Sequence, residues 1–100
     1  MIVQFQISEG DSFDDFIAIE DTFHQAFSQN NHAIVDGHDV GQGRFNIHIL
    51  PRGAWKPVTE RVHAFLKLKG WLGRAVIAKA LKSGKYKVIW PEEYGAEFEI

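Results

Sequence analysis

The side chains best suited to chemistry crowd one short stretch: Asp36-Gly37-His38-Asp39, followed by Arg44, Asn46 and His48. Two imidazoles and a carboxylate form a donor set that a divalent metal accepts. A His–Asp pair is equally a means of moving protons near neutral pH. The spacing matches neither a His-Glu-x-x-His helix nor a Cys/His ribbon, so it specifies no metal. The chain holds no cysteine, which removes disulfides, thiolate ligands and a thiol nucleophile. A second titratable pair, Glu20 and His24, lies one turn apart on the first predicted helix. At 100° per residue Glu20 falls about 20° from Phe13, inside the apolar stripe, where an unpaired carboxylate is costly. Either His24 pairs with it, as an acid–base pair at the lip of a pocket, or Glu20 reaches past the stripe to solvent. Ser8, Ser12, Ser28 and Ser83 sit in no Gly-x-Ser-x-Gly turn, so no nucleophile elbow is present. Gly41-Gln42-Gly43 precedes a predicted strand rather than a helix and makes no phosphate loop.

The elements that must position these groups follow from periodicity. Residues 2–7 alternate, predicting a strand with Val3, Phe5 and Ile7 toward the core and Gln4 and Gln6 opposite. Glu9-Gly10-Asp11 breaks the pattern. Asp11 or Ser12 then caps a helix over about 12–29, with Asp14 and Asp15 in the turn where the dipole favours negative charge. Its stripe is Phe13, Phe16, Ile17, Phe23 and Phe27, and Asn30 and Asn31 end it. His32 to Leu50 reads as a hairpin turning at 41–43, with Phe45, Ile47 and Ile49 alternating against Arg44, Asn46 and His48. Pro51-Arg52-Gly53 closes it. A second helix carries Pro57 near its first turn, the stripe Val58, Val62, Phe65 and Leu66, lysines at 67 and 69, and a stop at Gly70. Strands over 75–81 and 86–90 join at Ser83-Gly84, Pro91 ends the last, and 96–100 alternates like a short edge strand.

That order is β-α-β-β-α-β with at least one more strand. The expectation is one α+β domain over 1–100: a ferredoxin-like sandwich, its antiparallel sheet carrying two helices on one face, with a C-terminal extra strand. The other sheet face must be solvated or meet a partner. Parity in the hairpin then decides the cluster. A three-residue loop at 41–43 places Asp36, His38, Asn46 and His48 on one face, with Arg44 at its end. A two- or four-residue loop flips the parity, so that Asp39 joins Asn46 and His48 instead.

Composition narrows the classes. The 100 residues carry 11 Lys+Arg against 13 Asp+Glu, a balance that argues against a polyanion-binding surface. An RNA-reading sheet of this architecture needs aromatics on its open face. Residues 43–49 hold one, Phe45, on the presumed core side, so nucleic acid is not the expected partner. The lysines at 79, 82, 85 and 87 form a small basic run on the last hairpin. Trp55, Trp71, Trp90, Tyr86 and Tyr94 fall near element ends, where they serve either to close a small core or as interface anchors. No basic-start leader and no apolar run long enough to cross a membrane appears, so the expected location is the cytoplasm.

The run Val35-Asp36-Gly37-His38-Asp39-Val40-Gly41-Gln42-Gly43, followed by Asn46 and by Val88-Ile89-Trp90-Pro91, resembles an uncharacterised family of small bacterial proteins with an Asp-Gly-His/Asn-x-x-Gly-x-Gly hairpin. These are similar to some immunity proteins that sit beside secreted toxins. The resemblance assigns no catalytic residue; it implies a protein-binding role with specificity in surface side chains. The expectation is therefore a binding module without cofactor, meeting another protein or a second copy of itself through the open sheet face. Its contacts would be Asp36, His38, Asp39, Arg44, Asn46 and His48. The rival expectation is a small metal-dependent or acid–base enzyme at the same hairpin.

Overall fold

The computed structural model describes residues 1–28, 32–95 and 98–99. The elements run β1 (Ile2–Gln6), α1 (Phe13–Ser28), β2 (Ala33–Gly41), β3 (Arg44–Pro51), α2 (Trp55–Leu68), a 3-10 turn (Leu72–Arg74), β4 (Ala75–Ala80) and β5 (Tyr86–Trp90). The strands form one antiparallel sheet in the order β2-β3-β1-β4-β5. The α+β class is the one expected. The ferredoxin-like pattern itself has four strands, and here a fifth extends the sheet beyond β4. The expected helix end at Asn30-Asn31 and most of the expected strand over 96–100 lie outside the described residues.

Alternation in the strands divides the sheet into two faces. Val3, Phe5, Phe45, Ile47, Ile49, Ala75 and Ile77 point to one side. There they form the main core with Phe16, Phe23 and Phe27 of α1 and Val58, Val62 and Leu66 of α2. Each fully buried Val, Leu, Ile or Phe among them contributes about 1.5–3 kcal/mol. Phe16 stacks on Phe45 at 5.1 Å between ring centres, and Trp71 meets Phe5 edge-on at 5.6 Å. The expected stripe of α1 holds with one exception: Phe13 sits at the first helical position and is half exposed, although its ring still touches Phe45.

Local chemistry sets the ends of the helices. Ser12 Oγ accepts the Asp14 backbone N–H as the N-cap of α1, while Asp11 turns back to the Ser8 N–H and to Arg74. At the end of α2, Gly70 adopts φ +75. Its N–H donates to Lys67 O, and the Trp71 N–H donates to Leu66 O at 2.8 Å. That double closure satisfies two carbonyls the helix leaves open. The tryptophans close the core: Trp55, Trp71 and Trp90 pack partly buried against it, while Tyr86 and Tyr94 join a second apolar cluster on the opposite sheet face.

The β2–β3 hairpin departs from the first expectation. Gly41 pairs with Arg44, leaving a two-residue turn at Gln42-Gly43. Both residues have positive φ, +52 and +75, the geometry whose twist suits a tight hairpin. Farther along, the register shifts between Val35 and Gly37, so Asp36 is an extra residue in a bulge. Without the bulge, this turn would set Asp36 opposite Ile49, which is fully buried, and drive a carboxylate into the core. Gly37 takes φ +118 there, a conformation costly for any residue with a Cβ.

Gln42 is the one described non-glycine residue in the left-handed region. Replacing it with Asn, which tolerates that region, should stabilise the fold by up to about 1 kcal/mol. Urea unfolding should show a raised midpoint at unchanged slope.

Candidate functional site

The two-residue turn splits the polar cluster between the faces of the sheet. Gly37 lies opposite His48, His38 opposite Ile47 and Asp39 opposite Asn46. Asp39, Asn46, His48 and Arg44 therefore share the open face. His38 points to the helix side, and Asp36 stands exposed on the bulge of an edge strand. The face-sharing of Asp36 and His38 with Asn46 and His48, expected from a three-residue loop, is not found, because the turn is one residue shorter.

His38 finds Glu20 instead. Its Nδ1 donates to both carboxylate oxygens of Glu20, at 2.9 and 3.1 Å. The ring lies flat on Phe45 at 4.8 Å, with Phe13 edge-on at 5.9 Å. Glu20 is buried, as the stripe geometry of α1 demands, and His24 is exposed. Of the two readings of Glu20, the reach to solvent is excluded, and the partner comes from β2 rather than from the next turn of α1. The contact ties helix to hairpin at the sheet edge.

On the open face a chain of hydrogen bonds converges on Asp39. Gln4 Nε2 donates to Asn46 Oδ1 at 2.9 Å, and Asn46 Nδ2 donates to Asp39 Oδ1 at 2.9 Å. His48 Nε2 donates to Asp39 Oδ2 in a short contact. Gln4 and Asn46 are almost fully buried, so their amides are fixed donors. The Asn46 amide and then the His48 ring hold the Asp39 carboxyl below the usual carboxylate range, because both bonds favour its charged form. Asp39 itself remains half exposed. Farther along the same face, beyond His48, Ile34 pairs with Leu50 across the strands, and both are exposed, at 41% and 50%.

Sequence reasoning placed Asn46, His48 and one Asp together on a face but missed two partners. Gln4 was assigned to the face opposite the core without a role. Its position opposite Asn46 on the neighbouring strand is the signal that could have given one. Glu99 was invisible to local patterning, being 55 residues from the Arg44 it reaches.

The arrangement holds the Asp39 carboxylate, in its charged form, from two sides. Among the described residues no three His, Asp or Glu side chains gather in a metal-holding group. Two grooves lie away from these residues. One, of about 250 Å³, runs between α1 and α2 past Ile19, Thr22, Phe65 and Lys69. The other, of about 340 Å³, lies by Thr59, His63 and Trp90. Among the described residues no helix is long and apolar enough to cross a membrane. No protein-family model, no curated protein and no solved structure matches the chain.

Removing one partner of the Glu20–His38 pair strands the other. His38→Ala should cost about 1–3 kcal/mol in denaturant unfolding, the cost of a buried group left without its donor. Replacing both with Leu should recover most of that loss. Asp39 supplies a pH test. A carboxyl whose pKa is lowered on folding adds stability above its unfolded value of about 3.9, and the contribution disappears as pH falls through the folded value. Thermal melts between pH 5 and pH 2 should therefore fall more steeply for the wild type than for Asp39→Asn.

Proposed function

We propose that the chain is a small, non-catalytic protein-binding module of ferredoxin-like architecture whose contact surface is the open face of the sheet, a role in keeping with the resemblance to immunity proteins. The observation that carries this reading is the Asp39 carboxylate. It is fixed in its charged form by a hydrogen-bond chain rooted in two buried amides, and it shares the open face with the exposed pair Ile34 and Leu50, which lies beyond His48 along the strands. A preorganised charge beside apolar area loses little freedom on binding, which is how a small surface achieves specificity.

The six expected contact residues take different parts in this reading. Asp39 and His48 are the contacts, and Arg44 lies at the end of the same strand face. Asn46 is fully buried and acts by holding Asp39. Asp36 blunts the β2 edge with a charged bulge. His38 belongs to the opposite face and anchors the hairpin.

A second reading is favoured by one observation. The His48–Asp39 bond has the form of an acid–base pair, so an enzyme at this hairpin is the alternative. Against it, the pair sits on a sheet face and lines neither groove described above.

Variants His48→Ala and Leu50→Ala, checked for native circular dichroism, provide the test. Each should weaken capture of a partner held by the wild type at least tenfold, about 1.4 kcal/mol. Lys69→Ala on the helix side should leave capture unchanged. Full-strength retention by both face variants would remove the proposal.

A further inference from the structure

The open face is not bare. Phe98 lies across it, buried to 9% exposure on Ile2 and Ala78, with the Tyr86 ring 5.4 Å from its own. The next residue, Glu99, is held by its main chain: Gln4 Nε2 donates to its carbonyl oxygen at 2.6 Å. Its side chain reaches Arg44 Nη2 only at 3.4 Å and stays 65% exposed, against 20% for Arg44. The other terminal nitrogen of Arg44, Nη1, is buried and has no hydrogen-bond partner among the described residues.

We propose that this strip is a peptide-binding groove for a partner protein, taking a segment in which an aromatic residue precedes an acidic one. The inference rests on the module reading above and names the chemistry of its partner. Three recognition elements belong to the sheet itself: an apolar seat on Ile2, Ala78 and Tyr86, the buried Gln4 amide, and the Arg44 guanidinium. Each matches one part of such a segment, namely a ring, a backbone carbonyl and a carboxylate. The chain's own Phe98-Glu99 shows the fit and its defect. A guanidinium is a fork that binds a carboxylate through two parallel N–H bonds, yet among the described residues it makes one long contact and leaves one nitrogen unmatched. A segment whose carboxylate meets both nitrogens satisfies Arg44 better and displaces the present occupant.

A second copy of this chain is the weaker candidate. Its Phe98-Glu99 would bring the same side chains to the same groove. Like any incoming segment it must displace a tethered one whose effective concentration is of millimolar order, and it gains no better contact with Arg44 in doing so.

The probe is a fluorescein-labelled peptide with the sequence of residues 94–100, compared with the same peptide carrying Phe98→Ala. Anisotropy titrations use the full chain as wild type, as the double variant Phe98→Ala/Glu99→Ala, and as that variant with Arg44→Gln added. The double variant should bind the unaltered peptide at least tenfold more tightly than the wild type does. Arg44→Gln should weaken that binding at least fivefold, and the Phe98→Ala peptide should not bind. Should the double variant fail to fold, Glu99→Ala alone, at an exposed side chain, should still bind several-fold more tightly than wild type. Binding that ignores the state of residues 98 and 99, or ignores Arg44, overturns the groove. Concentration-dependent dimerisation abolished by Phe98→Ala overturns it in favour of exchange between copies. Failure of the peptide while His48→Ala and Leu50→Ala still release a captured partner removes the groove alone. Peptide binding with undiminished capture by those two variants removes the role given to the β2–β3 end and leaves the groove standing.

Discussion

The turn at Gln42-Gly43 sets the parity of β2 against β3, and the polar contacts of the hairpin depend on it. Side chains on a strand alternate strictly, so one residue more or fewer in the turn exchanges the two faces. With two residues in the turn, His38 goes to the helix side against Glu20 and Asp39 goes to the open face. The bulge at Asp36 absorbs the residue that would otherwise spoil the first half of the strand. Because of it, Ala33 and Val35 still face the core on one side of the bulge, while His38 meets Glu20 on the other. One hairpin thus satisfies two incompatible demands, an apolar run at its start and a polar anchor farther along.

That parity also explains why polar groups survive on a sheet with so few covering layers. Glu20 is tolerated in the apolar stripe of α1 because an imidazole arrives from the neighbouring strand. Gln4 and Asn46 are tolerated in the sheet because each donates onward, to a carbonyl and to a carboxylate. Buried polar networks hold when every member is satisfied. Among the described residues the exception is one nitrogen of Arg44, at the point where the Phe98-Glu99 segment meets the face.

Much of the frame was legible from local patterning. Strand alternation in 45–49, the phenylalanine stripe of α1 and the Gly70 stop are short-range signals, and each matches its element. The site was only half legible. Glu20 stands out because a carboxylate at the centre of an apolar stripe breaks a rule that helix geometry makes countable. Its true partner did not stand out, because His24 is near in sequence and His38 is near only after the sheet has formed. Register was undecidable for a similar reason: Gly41, Gln42 and Gly43 permit turns of two or three residues alike. The choice is made by the burial of Ile47 and Ile49 and by what Glu20 needs. The Phe98-Glu99 contacts lie beyond any local pattern, since they join residues that meet only across the finished sheet.

The hairpin holds two carboxylate–imidazole contacts on opposite faces, His38 with Glu20 and His48 with Asp39. Nitrogen-15 spectra of the histidine rings test this arrangement most directly, recorded for the wild type, Glu20→Gln and Asp39→Asn. Glu20→Gln should move the Nδ1 signal of His38 and leave His48 in place, while Asp39→Asn should move the Nε2 signal of His48 and leave His38 in place. A His38 signal that follows Asp39, or a His24 signal that follows Glu20, would contradict this arrangement.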